Sequence, residues 1–203
     1  MRIALLFFTL LTSFGTPLPC DNNCNEWKLK NEEGNYKMYM RECDDSPIKE
    51  IKLTDKFAGE FTRLIRVMTD IETNKKISES CTEARQLKQI DKQTALQYFY
   101  YKMPIGVKDR DVISKITIKA TDSTFSFITE AVDNNLVPSK NGSIRITNAR
   151  SSWFFKKTFS GTIEMEYMAF ADPNGSIPAW LINSLSRREA RAGIEKLKKL
   201  VHG

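Results

Sequence analysis

Few residues in this 203-residue sequence are suited to catalysis, and their types narrow the reactions to consider. The sequence has one histidine, His202, which lies next to the C-terminus. Most acid–base schemes that need an imidazole, and most zinc or haem sites with histidine ligands, are therefore excluded. Nor does the sequence offer a serine or cysteine paired with histidine for nucleophilic catalysis. These observations argue against a histidine-dependent enzyme and against a histidine-ligated metal site.

The segment Asp109-Arg110-Asp111 is the candidate polar site of the sequence. Its side chains could contact the polar head group of a ligand, or transfer protons together with Tyr101. The alternative is a structural ion pair that fixes the start of a strand near Pro104. Arg145 and Arg150 allow two similar interpretations, a head-group contact or an outward-facing charge.

The N-terminal residues predict a signal peptide, and an exported protein can form disulfides between its cysteines. Residues 1–19 contain a basic residue, a short apolar run and small residues, as in a secretory signal peptide, and cleavage is expected at 15–19. A buried strand or helix is the alternative, and the run is too short to span a membrane. Pro19 argues against a lipoprotein anchor at Cys20. The expected location is periplasmic or extracellular, where disulfides can form. The four cysteines, Cys20, Cys24, Cys43 and Cys81, can pair in three ways.

The balance of charges favours a membrane surface over nucleic acid as a partner. Lysine and arginine number 31 against 25 acidic residues, a formal net charge of +6. Moderate basicity of this kind favours anionic membrane surfaces, so we expect transient contact with a membrane. Because the charges are scattered and the chain is expected to be exported, no nucleic acid is expected.

Hydrophobic periodicity predicts an α+β domain that ends in a long helix. Alternating segments predict short strands over residues 36–41 and 48–53. Residues 61–68 follow the spacing of an amphipathic helix, and a second short helix is expected over 72–78. Six further strands are predicted over residues 82–90, 94–103, 110–120, 124–132, 143–159, with a break near Ser151, and 162–171.

Residues 179–201 predict a helix long enough to cross the whole sheet. At about 1.5 Å per residue the helix would extend about 34 Å. Leu181 and Leu185 begin its apolar stripe, which weakens over residues 187–189, where a kink or an exposed turn is expected. Strands with one apolar and one polar face indicate an antiparallel sheet covered on one side. A curved sheet around such a helix leaves a gap that can become a cavity.

Three sequence motifs, in the order in which they occur, are similar to those of a known protein family. The first motif consists of Trp27, Tyr39-Met40-Arg41 and the segment Ser46 to Glu50. The second motif covers residues 100–112 and includes Pro104 and Arg110-Asp111. Residues 172–183 form the third. In this order they resemble the opening strands, the tyrosine–proline–Arg-Asp segment and the lid-helix entry of START domains, the steroidogenic-acute-regulatory-related lipid-transfer family. The resemblance spans about Cys24 to Val201.

The resemblance implies a helix-grip fold, a curved antiparallel sheet wrapped around a long C-terminal helix with an internal hydrophobic cavity, in a single domain at residues 20–203. It implies that the chain binds or transfers one lipid or other hydrophobic small molecule, without a cofactor and usually without catalysis. We also expect a monomer. Sterol-handling members carry a buried acid–base pair at the positions of Gln97 and Ile116, and neither residue is charged here. The alternative is a polyketide cyclase of the same superfamily that uses Tyr101, Arg110 or Asp111.

The outward charged residues of each strand identify an inner face of aromatic and aliphatic side chains. With Lys102 outward, the odd-numbered residues of this strand, from Gln97 to Met103, point inward. We expect apolar contact area to hold the ligand, and the alternative is that the same side chains fill an ordinary core. Trp180 could gate the tunnel, touch a membrane or anchor the helix end. The predicted ligand-binding residues are Gln97, Phe99, Tyr101, Met103, Arg110, Val112, Ile116, Phe125, Phe127, Ile144, Ile146, Met165, Tyr167, Trp180, Leu181 and Leu185.

Overall fold

A computed structural model describes residues 24–44, 46–133, 136–140 and 142–202 of the chain. The predicted signal peptide at 1–19 and Cys20 lie outside the described residues. Within these ranges the chain forms ten strands and three helices, in the order β1 (Lys28–Glu33), β2 (Tyr36–Cys43), β3 (Ser46–Ala58), α1 (Phe61–Thr69), α2 (Ile71–Ile77), β4 (Cys81–Gln89), β5 (Thr94–Tyr101), β6 (Arg110–Ala120), β7 (Thr124–Ala131), β8 (Ile144–Ile146), β9 (Asn148–Lys157), β10 (Thr162–Asp172) and α3 (Ala179–His202).

The strands form one curved sheet that does not close into a barrel. Neighbouring strands follow the order β1-β2-β3-β10-β9-β7-β6-β5-β4, and every pair along this path is antiparallel. The short strand β8 lies off this path and pairs in parallel with the start of β6, where Ile144 lies beside Arg110. The predicted α+β class, with a curved sheet and a long C-terminal helix, is confirmed.

The structure differs from the prediction in the position of several element ends. Strand β1 was not predicted because its side chains are almost all exposed and give no apolar face. Strand β3 continues beyond residue 53 because Asp55 and Phe57 keep pointing inward. The break predicted near Ser151 lies instead at Thr147, between β8 and β9. Helix α3 is continuous through residues 187–189, where it exposes Arg187 and Arg188 to solvent.

The C-terminal half of α3 packs tightly in the concave side of the sheet. Ile194 and Leu197 are 0% exposed and belong to the main hydrophobic core. On β3, Asp55 forms an ion pair with Lys198 of the helix, with 3.0 Å between Oδ2 and Nζ. Gly59 permits a close approach, since a Cβ there would lie 2.6 Å from Val201 Cγ1. Among the described helices, none is both long and apolar enough to cross a membrane.

Candidate functional site

A pocket of about 640 Å³ lies between the inner face of the sheet and the first half of α3. The helix contributes lining residues from Ile182 to Gly193, and after Gly193 it packs directly on the core. Asn183 holds the start of the helix against β3, because its Oδ1 accepts a hydrogen bond from the backbone N–H of Lys49 at 2.9 Å. Exposed residues such as Arg188 stand at the rim, so the pocket reaches the protein surface.

Small side chains on two neighbouring strands create this space. Side chains on the inner face of β9 and β10 shrink toward the loop that enters α3. The first of four successive cross-strand pairs is buried in the core, and the last two line the pocket. In order, these pairs are Met165 with Phe155, Tyr167 with Trp153, Ala169 with Ser151, and Ala171 with Ala149. Because the last two pairs carry few atoms, the sheet cannot fill the gap below the helix.

Aromatic side chains form the wall where the pocket meets the core. The rings of Trp153 and Tyr167 lie 4.1 Å apart between centroids, and those of Phe99 and Tyr101 lie 6.4 Å apart. Burial raises the pKa of Tyr167 to about 12 and raises the pKa of Tyr101 further. Both phenols therefore stay protonated at neutral pH. Neither hydroxyl has a hydrogen-bond partner within the described part of the chain, so each can donate to a ligand.

Arg110 lies at the end of the pocket nearest the loop that enters α3. Its side chain is 2% exposed and donates three hydrogen bonds to backbone carbonyls. Nε donates to Pro173 O at 2.5 Å, Nη2 donates to Asn174 O at 2.8 Å, and Nη1 donates to Lys108 O. The backbone at Gly175 passes close by, since a Cβ there would lie 3.5 Å from Nη2. Arg110 therefore fastens the entry of the lid helix to strand β6.

The two aspartates beside Arg110 do not pair with it. Asp111 points to the opposite face of the sheet, where it receives Arg145 Nε at 2.9 Å and the Tyr98 hydroxyl at 3.2 Å. Asp109 receives Lys102 Nζ and the Tyr100 hydroxyl, both at 2.6 Å. These donors and the backbone N–H of residue 103 lower the pKa of Asp109 to about 2. Both acids of this segment thus form structural ion pairs, Asp109 with Lys102 close to Pro104 and Asp111 with Arg145, and Arg110 pairs with neither.

A second charged cluster lies beside the disulfide between Cys24 and Cys43. Glu50 is 6% exposed and accepts hydrogen bonds from Arg41 Nε at 2.6 Å and from Arg150. The two sulfurs and the Glu50 carboxylate lie within 4.8 Å of one another, the one grouping of metal-ligating atoms in the described ranges. The sulfurs are bonded to each other and the carboxylate pairs with two arginines. These atoms are therefore occupied by the protein itself.

The structure places nine of the predicted ligand-binding residues along the pocket. The other seven lie away from it, and four of those are buried side chains of the sheet: Gln97, Ile116, Phe125 and Met165. The remaining three lie near the ends of elements on the loop side: Ile144 is half-buried on β8, Leu181 is half-buried on α3, and Trp180 is 71% exposed. The nine pocket-lining residues are Phe99, Tyr101, Met103, Arg110, Val112, Phe127, Ile146, Tyr167 and Leu185.

Sequence reasoning missed the small residues that make the space. Ala149, Ser151, Ala169 and Ala171 line the pocket, yet bulky inward residues were the ones selected. The signal was present, because inward positions of both strands fall in size toward one end. The connection from α2 to β4 was also missed, where Ser78 to Cys81 line the pocket. Cys81 is a free, buried thiol there, and burial raises its pKa to about 11.

Comparisons of the sequence agree with this architecture. The family model described as START domain matches residues 19–202. An uncharacterized protein of Pseudomonas aeruginosa is 27% identical over 159 residues, which cover 78% of each chain. START domain-containing protein 10 of mouse and of human is 24% identical over 136 residues, 67% of this chain. The chain spans about half the length of these mammalian relatives, whose matched share is 47%.

Comparisons of the structure show the same fold. The crystal structure of human START domain-containing protein 10 superimposes with a TM-score of 0.77 at 21% identity, covering 86% of this chain and 72% of that one. A STAR-related lipid transfer protein of Xanthomonas axonopodis gives 0.75 at 21% identity, covering 87% and 99%. The Streptomyces aromatase/cyclase Zhui gives 0.55 at 7% identity, covering 74% and 91%, and shares the fold alone.

Proposed function

Because the chain belongs to the START domain family, we propose that it binds and transfers lipid, holding one hydrophobic ligand between the sheet and α3. The observation that carries the proposal is the pocket of about 640 Å³ under the helix, with its aromatic wall. Each methylene group that moves from water into such a site contributes about 0.8 kcal/mol. An aliphatic or ring-containing ligand would therefore be held mainly by contact area, and a few polar groups would fix its head.

Ligand exchange in this proposal is passive and takes place at a membrane surface. Strands β5 and β10 end, and β6 begins, at the side of the sheet where the lid loop of residues 172–178 lies. The exposed apolar side chains Ile105 and Trp180 belong to this side. Tryptophan and aliphatic side chains favour the membrane–water interface. The lid loop and the start of α3 would open there, and the Arg110 hydrogen bonds would reform when the loop closes.

The proposal includes export of the chain to an oxidising compartment. The segment at residues 1–19 has the composition of a signal peptide. The disulfide between Cys24 and Cys43 fits such a compartment, because disulfides persist outside the reducing cytosol.

Side-chain geometry favours binding over cyclase chemistry. A cyclase of the kind considered above would bring Tyr101, Arg110 and Asp111 to one substrate. Instead, Asp111 lies on the opposite face of β6 and pairs with Arg145. Tyr101 therefore lacks the carboxylate that would exchange a proton with it in such a scheme. This arrangement supports a non-enzymatic role.

Native mass spectrometry of protein purified from its own cells tests the proposal. We expect a monomer with one bound lipid-sized molecule, which transfers between vesicles when the protein is added. Ala169→Leu extends a side chain into the pocket and should lower ligand occupancy. Ala120→Leu makes the same change at an exposed position on β6 and should leave occupancy unchanged. Recovery of only empty protein, with no binding from lipid extracts, would contradict the proposal.

A further inference from the structure

Building on that proposed function, we propose that the ligand is a lipid with an anionic head group, a carboxylate or a phosphate, and that Arg110 receives the head group.

The positive charge of Arg110 has no negative partner in the described part of the chain. No carboxylate there lies within ion-pair distance of its guanidinium, and its three acceptors are neutral carbonyls. Burial lowers the pKa of the Arg110 guanidinium, and the charge of the nearby Asp109 opposes this shift only in part, but arginine still stays charged. A buried charge that is not neutralised is costly. A ligand anion in the pocket would neutralise it.

Arg110 also has donors to spare. A guanidinium carries five N–H groups in a planar fork, and the three carbonyls occupy three of them. Two N–H groups are left for a carboxylate or phosphate, whose oxygens match this fork. Among the other lining groups, the hydroxyls of Tyr101 and Tyr167 accept and donate no hydrogen bond within the described ranges, so they can donate to a ligand as well. The interior of the pocket is therefore rich in donors.

The acids that line the pocket are already engaged by the protein. Glu79 is exposed and pairs with Lys196 at 3.0 Å. Glu189 accepts hydrogen bonds from the hydroxyls of Ser78 at 3.3 Å and Ser80 at 3.4 Å. Both acids lie on the side formed by α2, β4 and α3, whereas Arg110 lies at the lid loop. An anionic head group would thus be placed at Arg110, with its chain along the aromatic wall.

The pocket is large enough for a fatty acid chain. Even at about 30 Å³ per non-hydrogen atom, the share of a water molecule in the liquid, 640 Å³ holds about 20 atoms, the size of a fatty acid of about eighteen carbons. Such a chain is therefore a suitable probe of the site.

Three ligands with the same chain separate the head groups: oleate, oleyl phosphate and oleyl alcohol. Isothermal titration of the full chain at neutral pH should give a dissociation constant about tenfold or more lower for an anion than for the alcohol. The tighter of the two anions identifies the head group. Equal affinity for all three would overturn this inference and leave the proposed function standing. If none of the three bound, this inference would fail, and the proposed function would fail with it only if native mass spectrometry also returned empty protein.

Variants assign the preference to one arginine. Arg110→Gln should abolish the anion-to-alcohol ratio, and Arg110→Lys should keep part of it. Arg187→Gln removes an exposed arginine of α3 outside the pocket lining and should leave the ratio unchanged. Because each ratio is taken within one variant, loosening of the lid loop affects both ligands alike. If Arg110→Gln kept the ratio of the unmodified chain, the assignment to Arg110 would be contradicted. If the variant did not fold, the three ligands compared on the unmodified chain would still test the preference for an anion.

Discussion

Two leucines on α3 test whether space lies beneath the first half of the helix. Leu197 is 0% exposed and packs in the main core, whereas Leu185, three turns earlier, is half-buried and lines the pocket. Replacing each by alanine removes the same atoms from the same helix. The helix propensities of the two changes are equal, so the difference between them reports what each side chain contacts.

The expected losses in the free energy of unfolding differ between the two variants by a factor of about three or more. Leu197→Ala should lower the free energy of unfolding by about 3 to 4 kcal/mol, because a fully buried leucine leaves a cavity that its neighbours cannot fill. Leu185→Ala should lower it by about 1 kcal/mol, since the side chain already borders open space and no new cavity is enclosed. For lipid affinity the order of the two variants reverses, and Leu185→Ala has the larger effect. Leu185→Ala removes about 1 kcal/mol of ligand contact, about fivefold in the dissociation constant.

Urea denaturation of the ligand-free variants, followed by circular dichroism, measures the first quantity. Titration with a fatty acid measures the second. If Leu185→Ala were as destabilising as Leu197→Ala, the first half of α3 would be packed as tightly as the second, and the reasoning about the pocket would be refuted.

Three other predictions concern the scaffold. Cys43→Ser removes the disulfide to Cys24 across a separation of 19 residues and should lower the free energy of unfolding by about 2 to 4 kcal/mol, with a reducing agent producing the same loss in the unmodified chain; no change in either measurement would contradict it. Gly59→Ala should destabilise the protein by about 1 to 3 kcal/mol, because the added methyl group would clash with Val201. In the double variant, Val201→Ala should relieve part of that cost. Additive effects in this double-mutant cycle would count against the contact. Because the pKa of Asp109 is lowered from 3.8 to about 2, its stabilising effect is present above pH 3.8 and is lost as pH falls toward 2; the stability difference between Asp109→Asn and the unmodified chain should therefore shrink over that interval in acid denaturation, and a constant difference would disprove it.

Strand and helix periodicity predicted most of the fold because the relevant patterns are local. Residues 61–68 carry a helical stripe, and the alternation along residues 162–171 predicts a half-buried strand. Both elements lie close to their predicted bounds, as α1 and β10. Strand β1 lacks any apolar alternation, and the parallel pairing of β8 depends on contacts remote in sequence, so neither could be inferred.

The candidate site was harder to predict because it depends on what is missing from the core. Phe125 and Met165 point inward, as expected, but large inward side chains fill space. Pocket walls are instead marked by small residues such as Ala169, whose effect depends on the partner strand and on the helix above. The hydrogen bonds of Arg110 could not be foreseen either, since Pro173 and Asn174 are more than sixty residues away in sequence.

Photo-crosslinking locates the ligand directly. The protein is incubated with a fatty acid that carries a diazirine in its chain, irradiated and digested, and the labelled residues are identified by mass spectrometry. Labelling should concentrate on α3 between Ile182 and Gly193 and on the facing parts of β9 and β10, and unlabelled oleate should compete for it. Labels confined to exposed apolar residues such as Phe159, at the far end of the β9–β10 hairpin, would contradict a lipid site beneath the helix.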